Sequence, residues 1–231
     1  MDYRIFHAVD EFSFDYKWLA HATYAFETFG VVVYVAAVLF LWLLTPPGSE
    51  RRWKIAALCG GVSALISLGI NQLIGDFIWH RPRPYESHPA AYHLTQSHDP
   101  SFPSDHASAA FGIAFGIFFV NQRVGRWFLA VAALIGVGRV VVGAHYPTDV
   151  LASVLVGAAA AAIVVYVFRR PLFRLVLLLE RISDPVARRY WSRRPATAPY
   201  QSQRFSRKNA SIPASTTAAT ATIAKKAMCV P

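Results

Sequence analysis

Three stretches of the chain hold side chains that can do chemistry together. In Gly138-Arg139-Val-Val-Val-Gly-Ala-His145-Tyr-Pro-Thr-Asp149 a guanidinium precedes an imidazole and a carboxylate follows four residues later, at the end of a membrane-length apolar run. Ionisable groups are expensive there and usually functional. Pro103-Ser104-Asp105-His106 adds a hydroxyl, a carboxylate and a second imidazole, and Arg81-Pro-Arg83-Pro84 adds two guanidiniums. The combination suits phosphoryl transfer. A phosphoryl group in transfer needs its equatorial oxygens held by planar bidentate donors and by backbone N–H groups at a helix N-terminus. Arg83 and Arg139 supply the first, and Ser104 with the main chain at Asp105 and His106 the second. His145 is the candidate nucleophile, with Asp149 in the first turn of the next helix folding back to fix its tautomer and support an imidazolium. His106 remains to protonate the leaving oxygen, a role worth roughly 10²–10⁴-fold. Taken singly, each piece has a plainer reading: Ser104 or Asp105 caps a helix, Arg-Pro repeats are ordinary loop material, and a histidine at a helix boundary is more often structural than catalytic.

The elements that must bring these pieces together are apolar blocks. Hydrophobic residues make up 55% of the 231 residues and gather in long runs instead of amphipathic periods. The expected fold class is therefore all-α, a polytopic membrane bundle of about five transmembrane helices with short interfacial helices. Residues 1–18 mix aromatics with Asp2, Asp10, Glu11 and Asp15 and read as an N-terminal interfacial segment. Residues 19–170 form the membrane-embedded domain that carries the site. Its spans are expected at 19–44, an apolar run broken only by His21 and Glu27, and at 55–74, 104–120, 127–143 and 147–168, with a short turn over 121–126. Asn71, inside the second, needs a partner on a neighbouring helix. Pro147 suits the first turn of the fifth, where its missing N–H costs nothing. The polar stretch 75–103, rich in His and Pro, is too long for a tight connection and is expected to be functional.

Net charge is +10, but residues 169–231 hold 13 of the 23 basic side chains and only Glu180 and Asp184 of the acids, so the charge belongs to the end of the chain. Residues 171–231 read as a basic cytoplasmic interfacial helix, shorter than the ~17–25 residues of a span, followed by a disordered tail. A basic tail after a last span fits positive-inside topology and anionic lipid better than nucleic acid, for which no recognition motif is present. Arg51, Arg52 and Lys54 in the first loop and Arg123 and Arg126 in the third share the tail's side. The expected location is thus a bacterial inner membrane, with the C-terminus cytoplasmic and the long loop and the 139–149 turn facing the periplasm or exterior. Cys59 and Cys229 are too few and too differently placed for a disulfide framework, and acids near the start leave no cleavable signal to expect.

Pro-Ser-x-His followed by Arg-x5-His-x3-Asp resembles the second and third motifs of the type 2 phosphatidic acid phosphatase superfamily, whose vanadium haloperoxidase relatives hold vanadate in the same pocket. The likeness covers about residues 70–150. It implies a helical membrane bundle, a phosphohistidine on His145, acid/base work by His106, phosphate contacts from Arg83, Ser104 and Arg139, and no obligatory metal or cofactor. Two positions depart from the pattern. The third motif usually opens Ser-Arg and here reads Gly138-Arg139, removing one hydroxyl. The first usually reads Lys-x6-Arg-Pro, but counting back from Arg83 reaches Asp76 and from Arg81 reaches Ile74, so the lysine is missing and Arg81 is left to compensate. Within the superfamily, Asn71-Gln-Leu-Ile-Gly with Arg-Pro-Arg-Pro and Pro-Ser-Asp-His is similar to the undecaprenyl-diphosphate phosphatases associated with bacitracin resistance. The implied partners are a polyprenyl diphosphate or other lipid phosphate and the surrounding lipids. Phosphatidate or phosphatidylglycerophosphate is the alternative substrate.

Three other readings stand beside this one. His88, His93 and His98 are spaced by five on a loop, which is not a ligand pattern, so solvated loop histidines are expected in place of a metal site. A transporter would show mid-depth charges and an inverted repeat, and neither is present. A scaffold that kept the fold but lost activity is the remaining reading, suggested by the missing lysine.

Overall fold

The computed structural model describes residues 2–43, 45–46 and 51–191; the tail beyond Trp191, with Cys229, lies outside the described residues. All regular elements described are helical: α1 (Asp2–Asp15), α2 (Lys17–Leu43), α3 (Arg52–Phe77), α4 (Pro84–Ser87), α5 (Asp105–Val120), α6 (Gln122–Val141), α7 (Pro147–Ala162) and α8 (Arg169–Trp191), with a π-helical turn Ile163–Val167 extending α7. Among the described residues, four helices are long and apolar enough to cross a membrane: α2, α3, α6, and α7 with its π turn. The third expected span, α5, has only 16 residues, about 24 Å at 1.5 Å per residue. It nonetheless runs the length of the bundle antiparallel to α3. Asn71 near the end of α3 donates to Asp105 at the start of α5 (2.7 Å), and Arg52 at the start of α3 donates to the Val120 carbonyl at its end (2.9 Å).

Close packing explains why α5 sits at the centre. A Cβ on Gly116 would stand 2.7 Å from the Cys59 carbonyl, and one on Gly112 2.7 Å from Ser67 Oγ, so the small residues let α3 and α5 meet backbone to backbone. Ala114, Ile117 and Ile135 are fully buried in the resulting core. α2 joins through Tyr34, whose hydroxyl reaches the carbonyls of Ala110 (3.1 Å) and Phe128 (3.0 Å).

Both ends of the bundle differ from the sequence expectation. α6 begins at Gln122, not after a turn to residue 126, because the Asn121 side chain accepts from the Val124 N–H and caps the helix. α8 runs well past the dozen apolar residues expected, because polar groups also hold it. Lys54, 2% exposed, donates to Asp184 (2.7 Å) and Glu180 (3.4 Å), and Arg51 to Glu180 (2.9 Å). At the other end α1 is tied to the bundle: Ser13 Oγ donates to the Val141 carbonyl (3.0 Å), and Asp10 accepts from the Tyr92 N–H (2.8 Å). That second end gathers the last turns of α3 and α6, the first turns of α5 and α7, and loop 78–104.

Candidate active site

The turn from α6 into α7 aims the chemistry. Gly143 adopts φ +75°, a left-handed conformation that a side chain would strain, and its missing Cβ also leaves room for the Tyr92 carbonyl. The chain then doubles back, so that the N–H groups of Ala144 (3.0 Å) and His145 (3.2 Å) both donate to the Arg139 carbonyl. Arg139 and His145 are thereby fixed against one another. α7 starts at Pro147, and Asp149 in its first turn accepts from the Tyr146 N–H (2.9 Å).

His145 is 2% exposed. Its Nδ1 lies 2.7 Å from the Ser101 carbonyl and 3.8 Å from Asp149 Oδ2. A carbonyl only accepts, so Nδ1 carries the proton and Nε2 the lone pair. Arg83 Nη1, which only donates, stands 3.4 Å from that Nε2. Asp149 thus folds back to His145 at ion-pair distance, and Ser101 adds a second, indirect link between them. Ser101 gives its carbonyl to the imidazole and its hydroxyl to Asp149 (2.6 Å). Burial pushes the His145 imidazole down to about 4; Asp149 opposes this, while Arg139 and Arg83 reinforce it. The ring is neutral at physiological pH.

Arg83, 5% exposed, is steered by the Asp99 (2.9 Å) and Ala144 (3.3 Å) carbonyls. Ser104 occupies the N-cap position of α5, but its hydroxyl makes no capping bond and is buried without a partner, so helix capping does not account for it. Arg139 Nε and Glu27 Oε1 are likewise buried and unpaired. Arg83, Arg139, His145, His106 and Asp105 line one cavity of about 360 Å³, together with Glu27, Tyr24, Thr28, Val31 and Val32 of α2. His106 is exposed at this cavity, and Asp105 is held by Asn71.

Arg81 is a correction. Expected among the phosphate ligands, it is bound to Asp149 Oδ1, to Asp2 (2.6 Å) and to Thr148 (2.8 Å), and lies 4.0 Å over the Tyr146 ring. Two carboxylates already use its donors, so it braces Asp149 from behind and does not replace the missing lysine. Asp76, at that lysine's position, is exposed on the last turn of α3. His88 and His93 stack on Tyr3 and Tyr85. Among the described residues no three His, Cys, Asp or Glu converge to hold an ion.

Two residues of the site escaped the sequence reading. Ser101 acts through its carbonyl, which no residue type advertises. Glu27 left a signal, an acid inside an apolar block, and such a residue deserved a functional reading by default. It pairs with Arg139 Nη1 at 3.1 Å.

Comparison with known proteins shows the family. The family model described as "PAP2 superfamily" matches residues 55–172, which span every helix that presents a site residue except α2. Undecaprenyl-diphosphatase BcrC of Bacillus subtilis is 32% identical over 190 residues, covering 82% of this chain and 92% of that protein. A Bacillus licheniformis protein named bacitracin transport permease protein BcrC is 27% identical over 184 residues, covering 78% of this chain and 88% of its own. The crystal structure of a transmembrane PAP2 type phosphatidylglycerolphosphate phosphatase from Bacillus subtilis aligns with a TM-score of 0.46 and 21% identity, over 77% of this chain and 85% of that one.

Proposed function

The chain belongs to the PAP2 superfamily of membrane phosphatases, and from that premise we propose that it hydrolyses undecaprenyl diphosphate to undecaprenyl phosphate and phosphate. The observation that carries this reading is the tautomer of His145: a neutral ring presents its Nε2 lone pair beside Arg83, in a cavity shared with Arg139 and His106.

The terminal phosphoryl group sits between the guanidiniums of Arg83 and Arg139, with the Ser104 hydroxyl and the free N–H groups of the first turn of α5 completing the cradle. Nε2 of His145 attacks phosphorus, and the bond from phosphorus to the bridging oxygen breaks. His106 gives its proton to that oxygen as undecaprenyl phosphate leaves. Water then attacks the phosphohistidine, passing a proton back to His106. The P–N bond breaks, phosphate departs and His145 returns neutral. Asp149 stabilises the positive charge that develops on the ring, from 3.8 Å and through Ser101. Arg51, Arg52 and Arg123 crowd the opposite end of the bundle, which the positive-inside rule makes cytoplasmic, so the cavity faces the outer leaflet.

Purified full-length protein in detergent is expected to release phosphate from undecaprenyl diphosphate faster than from phosphatidate or phosphatidylglycerophosphate. His145→Ala is expected to abolish release while the protein stays folded. Absence of release from all three lipids, or a wild-type rate for His145→Ala, overturns the proposal.

A further inference from the structure

Glu27 has no part in the reaction as described, yet it stands inside the cavity. It belongs to α2, is 3% exposed, and its carboxylate faces the phosphate cradle. A carboxylate placed there repels the substrate's phosphate, and burying one in a membrane-length helix is costly. Both costs call for an offsetting role.

The geometry supplies one. Glu27 Oε2 accepts from Arg139 Nη1 at 3.1 Å, while Arg139 Nε makes no hydrogen bond although it is buried. A guanidinium is a rigid plane with five donors, so anchoring one corner sets where the others point. The anchored corner is Nη1, and the Nε edge is left for another acceptor. A buried donor left unpaired calls for an explanation, and a ligand that binds beside it is one. A phosphoryl oxygen meets that requirement.

Gly138 provides an independent observation. A Cβ there would lie 2.9 Å from Glu27 Oε1 and 3.2 Å from Thr23 Cγ2, so any side chain at 138 collides with the carboxylate. Gly138 is also where the chain departs from the Ser-Arg opening of its third motif. The two features have one cause, since the carboxylate of Glu27 fills the space that a residue 138 side chain would take.

We propose that Glu27 is the positioning residue for Arg139, reaching from α2 across the space left by Gly138 to orient the guanidinium toward the transferred phosphoryl group. This rests on the phosphatase reading above. It makes α2, which lies outside the stretch matched by the family model, part of the active site.

The test measures kcat and KM for undecaprenyl diphosphate, together with the melting temperature, for the full-length protein. Glu27→Ala is expected to lower kcat by roughly 10–100-fold, the scale of a small misplacement of a catalytic group. KM is expected not to rise, because a competing anion has been removed. Gly138→Ser is expected to produce a similar loss by pushing Glu27 aside. The double variant is expected to lose no more than either single one, since both damage the same contact. Glu27→Gln, which keeps an oxygen for Arg139 Nη1, is expected to restore most of kcat. A folded Glu27→Ala with wild-type kcat, or losses that multiply in the double variant, overturns the proposal. Should Glu27→Ala fail to fold, Gly138→Ser and Glu27→Gln decide: wild-type kcat in the first, or a loss above tenfold in the second, overturns it. Wild-type protein that releases no phosphate removes the phosphatase reading instead, whatever the variants do.

Discussion

At the scale of single residues, the main feature is that the proposed nucleophile is held neutral by backbone as much as by charge. His145 is buried, its Nδ1 proton is given to a carbonyl, and two guanidiniums stand close by, so burial first and Arg139 and Arg83 next push its pKa down to about 4. The attacking form is the unprotonated one, and a lowered pKa moves its loss to lower pH. The acid limb of kcat/KM, measured on an activated aryl phosphate and corrected for the substrate's own ionisation, is therefore expected near pH 4 and not near the ordinary histidine value of ~6.5. A limb at 6.5 would mean that the ring is solvated in the working enzyme. His106→Ala is expected to cost more rate with a poor leaving group than with an activated aryl phosphate, and equal losses on the two would remove His106 as the general acid. The residues behind these expectations were legible because their types and spacing, Arg-x5-His-x3-Asp and Ser-x-His, carry the chemistry in the side chains themselves. Ser101 was not legible, since its carbonyl does the work. Glu27 was visible but unassigned, because its partner lies 112 positions away. Arg81 was misassigned, because type and position cannot reveal that Asp2 and Asp149 already occupy it.

At the scale of elements, the site depends on how closely α5 lies against α3, since the first turn of α5 carries Ser104 through His106 and the last turns of α3 precede Arg83. Gly116 sets that distance: an added Cβ would meet the Cys59 carbonyl at 2.7 Å and the Gly60 Cα at 2.8 Å, both backbone atoms that cannot step aside. Gly116→Ala is expected to destabilise the bundle by about 1–3 kcal/mol through overpacking. Gly61→Ala, also in α3 but with nothing within 4 Å of the new methyl group, is expected to be neutral or to stabilise by up to about 1 kcal/mol through helix propensity. Thermal unfolding in one detergent separates the two, and equal shifts would contradict the packing. The apolar blocks made the helices themselves legible, and Pro147 marked the start of α7 to the residue. The start of α6 and the length of α8 were not, because each is decided by a polar contact, the Asn121 cap and the Lys54 ion pairs, that an apolar count does not register.

For the whole molecule, the question is how a substrate that is mostly lipid reaches a cavity with a polar floor. The cavity is walled on the α2 side by Tyr24, Thr28, Val31 and Val32, and Val32 is 67% exposed within a helix long and apolar enough to lie in the membrane. An opening beside Val32, about a turn and a half of helix from Glu27, would lead sideways into the hydrocarbon. A diphosphate held at Arg83 and Arg139 can keep its prenyl chain in the bilayer throughout the reaction. Orientation is checked first: His98→Cys, exposed on the loop over the site, made with Cys229→Ser, is expected to react with an impermeant maleimide in intact cells, and labelling only after lysis would place the cavity on the cytoplasmic side. The entry route is then tested at its rim. Val32→Trp puts a large ring at the opening of an exposed position, where substitution costs stability less than about 0.5 kcal/mol. It is expected to lower kcat/KM for undecaprenyl diphosphate by about tenfold. A water-soluble aryl phosphate carries no chain to thread past the ring, so its kcat/KM is expected to stay within about twofold of the wild type. Equal losses on both substrates would mean that Val32 shapes the phosphate cradle itself, and no loss on either would mean that the lipid chain leaves the cavity by another side of α2.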